Sequence, residues 1–213
     1  MTHTTITIPA NTKQLILQDK PESRNIILEE NAEVQYIVSF KNEKPEDKSI
    51  ITFELNGDRS HAEIFGLFAG KNNDRMSFET RTVHKGNNTY GHATVKTLLK
   101  DEAQSDYFGL IRIEKDTTQS DGHLSHDTML LSKKAKSRSV PSLEIEANDV
   151  KAGHSASVGQ VDEEAIFYLR SRGLTEEQAR ELMIDGFFES LLLQIPDESM
   201  ASQLRESLQQ SLS

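Results

Sequence analysis

The side chains best able to do chemistry in this chain are its seven histidines, because no cysteine is present. Without thiols there is no disulfide framework, no thiol nucleophile, and no cluster held by the chain's own thiolates. His123 and His126 form a His-x-x-His pair beside Asp121 and Asp127. On a strand, residues three apart point to opposite faces, so the pair is a poor chelate and reads as a surface pair. His84 and His92 flank a Gly–Asn–Asn turn and share a side only if that turn keeps register. His3 and His61 carry no signal. His154 differs in context. It stands in Asp149–Val150–Lys151–Ala152–Gly153–His154–Ser155–Ala156–Ser157–Val158–Gly159, where small residues let another backbone or a cofactor approach closely. A neutral imidazole there could ligate a soft or borderline metal, although a lone histidine is more often structural.

Other chemistries lack their signatures. No Gly-x-x-x-x-Gly-Lys-Ser/Thr loop is present, so nucleotide hydrolysis would fall to another chain. No serine sits in a nucleophile elbow, and no carboxylate pair is marked out as a glycosidase dyad. The net charge of −10 argues against nucleic acid or an anionic membrane surface as partner. No apolar stretch approaches the roughly 18 residues that span a bilayer. Met1 to Pro9 is Thr-rich, without the basic start and apolar run of an export signal. The expected location is the cytoplasm.

The elements that must position these residues fall into two unequal parts, residues 1–160 and residues 161–213. In the first, apolar residues come in short runs of period two, as at Thr5–Ile6–Thr7–Ile8, Val34 to Val38, Ile50 to Leu55, Ala62 to Phe68, Ala93 to Leu99 and Tyr107 to Ile113. Turn-forming stretches such as Asn56–Gly57–Asp58 separate them, so these are strands. No helix of credible length intervenes, which disfavours alternating β–α folds. Period alone leaves a sandwich, a barrel or a β-helix open.

From Asp162 onward the pattern is helical. Asp162–Glu163–Glu164 opens a first helix with acids where the dipole favours them, and Gly173 sits where a C-terminal cap belongs. Thr175 to Gln178 is a capping-box sequence, Pro196 ends the second helix, and Asp197 can cap a third carrying Met200, Leu204, Leu208 and Leu212. On the second helix, Leu182, Met183 and Phe187 line one side, and Ile184, Phe188, Leu191, Leu192 and Ile195 a neighbouring one. That arc is too wide for one neighbour. Either the third helix covers the excess or a partner protein does.

The second half of the chain resembles the SufB/SufD family of iron–sulfur cluster assembly scaffolds. The likeness runs through Val83–His84, Phe108–Gly109–Leu110–Ile111–Arg112–Ile113, Leu130–Leu131–Ser132 and Pro141–Ser142–Leu143–Glu144–Ile145. It is closest at His154–Ser155–Ala156–Ser157–Val158–Gly159 and Phe167–Tyr168–Leu169–Arg170–Ser171–Arg172–Gly173. The resemblance implies a right-handed parallel β-helix with a small C-terminal helical domain. It implies a non-catalytic subunit that joins a SufC-type ABC ATPase through its C-terminal helices. It also implies pairing with a SufB-like subunit or a second copy of itself, with a transient iron–sulfur cluster near the interface and no cofactor held by this chain alone.

By the resemblance, His154 is the interface histidine, and Phe167, Tyr168, Arg172, Leu182, Phe187, Phe188, Leu191 and Leu192 belong to the ATPase dock. Ala152 stands where SufD-like members carry a cysteine, and the essential cysteine of SufB-like members is absent. The chain is expected to be a short form of about half the usual length, lacking an N-terminal helical region. A polysaccharide-active enzyme on a β-solenoid and a self-associating structural solenoid are the competing readings.

Overall fold

In the computed structural model the described residues are 4–40 and 48–212, so His3 and the N-terminal Met1–Thr2 lie outside them, as does the side chain of Leu212. Among them, the strands are β1 (Thr4–Ile8), β2 (Lys13–Gln18), β3 (Arg24–Leu28), β4 (Glu33–Val38), β5 (Ser49–Leu55) and β6 (His61–Gly70). They continue as β7 (Arg75–His84), β8 (Tyr90–Leu99), β9 (Gln104–Ile113), β10 (Asp121–Leu130), β11 (Lys136–Ile145) and β12 (Lys151–Gln160). Odd-numbered strands make one sheet in the order β1-β3-β5-β7-β9-β11, and even-numbered strands make the other. Pairing within each sheet is parallel. The chain therefore winds from one sheet to the other and back, which is a parallel β-helix. The period-two runs fall on β1, β4, β5, β6, β8 and β9.

Period two becomes an inside and an outside. In β5, Ile51, Phe53 and Leu55 are buried in the lumen while the alternating residues between them are half-exposed. Lumen side chains stack from coil to coil. Phe40 lies against Phe68 at 5.3 Å between ring centroids, Phe68 against Phe78 at 4.2 Å, and Phe78 against Tyr107 at 4.6 Å. One corner of the coil is turned by residues with positive φ, among them Asn11, Asn31, Arg59 and Asn88. Their side chains form a ladder: the Asn31 amide donates to Asn11 Oδ1 at 2.9 Å, and Arg59 Nε to Asn31 Oδ1 at 2.7 Å. Gly57 sits where a Cβ would come 2.0 Å from the backbone nitrogen of Glu30, so successive coils touch backbone to backbone there.

Helices α1 (Glu163–Ser171), α2 (Glu176–Leu192) and α3 (Glu198–Leu212) follow the last strand. Asp162 caps α1 by accepting from the Glu164 and Ala165 amides. Gly173 takes φ 102° just beyond its end, and Thr175 and Gln178 form the capping box of α2. Met200 N donates to Asp197 Oδ1 at 3.0 Å.

The wide apolar arc of α2 is covered from two sides, by α3 as one alternative had it and also by the coil. Phe188, Leu191 and Leu192 are each 2% exposed, packed with Leu204 and Leu208 of α3 and with Ile37, Phe65, Leu67 and Leu98 on the outer face of the even sheet. The coil itself is the missing neighbour, because these outward residues of β4, β6 and β8 are apolar and need cover. Phe188, Leu191 and Leu192 are therefore enclosed by their own chain and are not a free surface, and Phe187 is half-buried in the same cluster.

Candidate functional site

The last coil, like the first, has no further coil over it among the described residues. In β11, Ser137, Ser139, Pro141, Leu143 and Ile145 are in register with the lumen residues Ser105, Tyr107, Gly109, Ile111 and Ile113 of β9. In β12, Val158 is opposite Thr128. Where the equivalent positions of earlier coils are buried, Leu143 is 36% exposed, Ile145 39% and Val158 45%. The mouth of the lumen is a mixed opening, with Leu143, Ile145 and Val158 among Ser137, Ser139 and His154, flanked by two strand edges.

The two edges differ. Lys136 N donates to Ala103 O and Glu146 N to Ile113 O, both at 3.0 Å. In a parallel ladder the N–H groups alternate sides, so even-numbered residues of β11 serve β9 and odd-numbered ones face outward. Pro141 falls among the odd, where its missing N–H costs no ladder bond but blunts the edge. On β12, Lys151 N donates to Ser120 O at 2.8 Å and Val161 N to Leu130 O at 2.9 Å. There the N–H groups of Ala152, His154, Ala156 and Val158 face the open edge, and no proline interrupts them.

His154 lies on this edge strand, exposed, in register with Leu124 of the buried core. It thus belongs to the lumen side of the opening. Gly153, its neighbour, is in register with His123 on the outer face.

The structure separates the other histidines. His84 and His92 fall on opposite sides: His84 is buried in the lumen and His92 faces outward. The His123–His126 surface pair is also split, because His126 is fully buried in the lumen. Its Nδ1 is 2.8 Å from Ser139 Oγ and its Nε2 is 3.0 Å from Thr97 Oγ1. Burial pushes both His84 and His126 down to about 4, so both rings are neutral at ordinary pH.

His61, which showed no signal in the sequence, joins an outward row. Its ring lies 4.2 Å from that of Tyr90, Tyr90 stacks on His92 at 3.8 Å, and His92 is 5.6 Å from His123. His92 Nε2 lies 2.9 Å from Asp121 Oδ1 and its Nδ1 2.6 Å from Tyr90 Oη. A carboxylate can only accept, so Nε2–H donates to Asp121 and Tyr90 O–H donates to Nδ1. A signal for this row existed in the sequence, since Gly–His recurs at Gly91–His92, Gly122–His123 and Gly153–His154 at an interval of 31 residues. Among the described residues, no three His, Asp or Glu side chains already surround a point where a metal ion could sit.

On the helices, Phe167 is 73% exposed, and Tyr168 of α1, Arg172 at its end and Leu182 of α2 are exposed as well. The Arg172 guanidinium lies 5.2 Å from the centroid of the Tyr168 ring. Lys96 of β8 donates to Phe187 O at 2.6 Å and to Ser190 Oγ at 2.7 Å, fixing α2 to the coil. No described helix is long and apolar enough to cross a membrane.

Residues 22–187 match the family described as "SUF system FeS cluster assembly, SufBD core domain". The chain is 33% identical over 153 residues to the iron–sulfur cluster assembly protein SufD of Bacillus subtilis, a stretch that covers 72% of this chain and 35% of that protein. It is 32% identical over 159 residues to SufD of Escherichia coli, covering 75% and 38%. It is 33% identical over 142 residues to an iron–sulfur cluster assembly SufBD family protein of Pyrococcus horikoshii, covering 67% and 31%. The matched stretch spans about a third of the length of these relatives.

Proposed function

The chain belongs to the SufBD family, and from that premise we propose that it is a non-catalytic scaffold subunit of SUF-type iron–sulfur cluster assembly. The observation that carries this reading is the open last coil. A lumen mouth with exposed apolar side chains beside an unblunted parallel edge is a surface that solenoids otherwise cover. Leu143, Ile145 and Val158 supply the apolar contact, and β12 supplies backbone donors. A second β-helix, either a SufB-like subunit or another copy of this chain, closes the mouth in this reading.

His154 then lies between the two subunits as a nitrogen ligand, while thiolates come from the partner because this chain has none. A transient cluster assembled there is cargo rather than a resident cofactor. The helical side carries the second contact. Phe167, Tyr168, Arg172 and Leu182 form the exposed surface for a SufC-type ATPase; Ile166 and Ala179 pack behind α1, and the enclosed Phe188, Leu191 and Leu192 hold α2 on the coil. Nucleotide-driven movement of the ATPase pulls on the helices, and the Lys96 anchor passes the pull to the coil.

Co-purification with a SufB-like subunit and a SufC-type ATPase tests the proposal, using Val158→Asp as the variant. The expected result is a complex that the variant loses while it keeps its own fold. A chain that copurifies with neither protein would refute it.

A further inference from the structure

We propose that His92, Asp121 and His123 form an accessory site for one borderline divalent cation, of the ferrous, cobaltous or zinc class, on the outer face beside the last coil. His92 Nε2 reaches from β8 across to β10, where Asp121 and His123 stand two residues apart on the same face. Imidazole and carboxylate together suit this class of cation.

Little has to move. Metal–nitrogen and metal–oxygen bonds of about 2.0–2.2 Å at a tetrahedral angle set the two ligand atoms roughly 3.3 Å apart. Nε2 and Oδ1 are already 2.9 Å apart, so the pair opens by about 0.4 Å as the cation takes the place of the shared proton. That proton passes through solvent to Nδ1, which then donates to Tyr90 Oη 2.6 Å away, so the ring neither gains nor loses charge. Tyr90 becomes the outer acceptor that fixes the tautomer of a ligating histidine. His123 is exposed and swings by a rotamer change to complete the set. The opposite position on the last coil is Gly153, where any Cβ would come 3.2 Å from His123 Nδ1, so no side chain blocks it.

Two imidazoles and a carboxylate leave positions to water, so a bound cation stays open to an incoming ligand. The register row Glu63–His92–His123–Gly153 ends one residue from His154. A cation held here waits beside the open coil. That purpose rests on the assembly role proposed above; the binding itself does not.

Anaerobic titration of the purified chain alone with cobaltous ion, read by visible absorption and calorimetry, tests the site. One saturable site is expected, weakened at least about tenfold by His92→Ala, by His123→Ala and by Asp121→Asn, and unchanged by His154→Ala. Circular dichroism confirms that the exposed His123→Ala variant stays folded. No binding at millimolar cation, binding indifferent to His92 and His123, or binding lost instead in His154→Ala overturns the inference. None of these outcomes bears on whether the chain joins an assembly complex.

Discussion

His154 pairs in register with Leu124, and so belongs to the lumen side of the coil, while its chain neighbour Gly153 pairs with His123 on the outside. This relationship decides what His154 can do. It is exposed only because no coil follows it, and its imidazole makes no side-chain hydrogen bond with a described residue. His154→Ala is expected to change unfolding free energy by less than about 0.5 kcal/mol. In the proposed complex it should sharply reduce cluster formation. Denaturant unfolding and reconstitution of the whole complex separate the two effects.

His84 and His126 give the fold an acid-sensitive core. Burial lowers both to about 4, whereas an unfolded chain holds them near 6.5. Above about pH 6.5 neither state binds the proton and the full stability is present. As pH falls from there through about 4, only the unfolded state takes up protons, and stability is lost by on the order of 3 kcal/mol per histidine. Unfolding midpoints between pH 7 and 4 should fall steeply. His126→Gln should flatten that slope, and an unchanged slope would contradict the assignment.

Gly57 and Gly86 touch across successive coils. A Cβ at Gly57 would lie 2.0 Å from Glu30 N, and one at Gly86 2.5 Å from Gly57 O. Backbone cannot turn aside as a side chain can. Gly57→Ala should therefore cost about 3 kcal/mol or more, measured as a shift in denaturant midpoint.

Lys96 is the polar pin between coil and tail. Its pKa is lowered chiefly by burial, and its ammonium spends donors on Phe187 O and Ser190 Oγ. Lys96→Ala should cost about 1–2 kcal/mol and raise hydrogen exchange in the C-terminal half of α2, leaving the coil strands protected.

Phe167 and Phe188 should behave differently under the same change. Phe167→Asp should leave the melting curve nearly untouched and weaken ATPase association. Phe188→Asp buries a charge against Phe65 and Leu67 and should detach the tail. Pull-downs of both variants, with melts alongside, distinguish a docking surface from a core.

Strands were legible in the sequence because burial in a coil is read out at period two, and the helix caps were legible because Asp162, Thr175 and Asp197 bond locally. The closed architecture was not, since a sandwich imposes the same period, and the family likeness resolved it. The sides of the histidines were hidden for a sharper reason. Gly–His repeats at an interval of 31, yet Asp121 pairs with Lys151, so the last coil is one residue shorter than that repeat. A shift of one residue sends His154 to the opposite face from His123. Of the cover for Phe188, Leu191 and Leu192, the part from α3 was legible and the part from the coil was not, because it comes from outward residues of strands far earlier in the chain.

The central claim is that a second β-helix adds to the open edge of β12. Ala156→Pro tests it most directly, because the Ala156 N–H faces that edge and its loss spares the ladder to β10, as Pro141 spares the ladder to β9. Light scattering on the chain mixed with a SufB-like subunit, and on the chain alone, should show a paired species in at least one of the two for the unchanged protein and single chains for Ala156→Pro at equal helix and strand content. Pairing that survives Ala156→Pro would contradict the account.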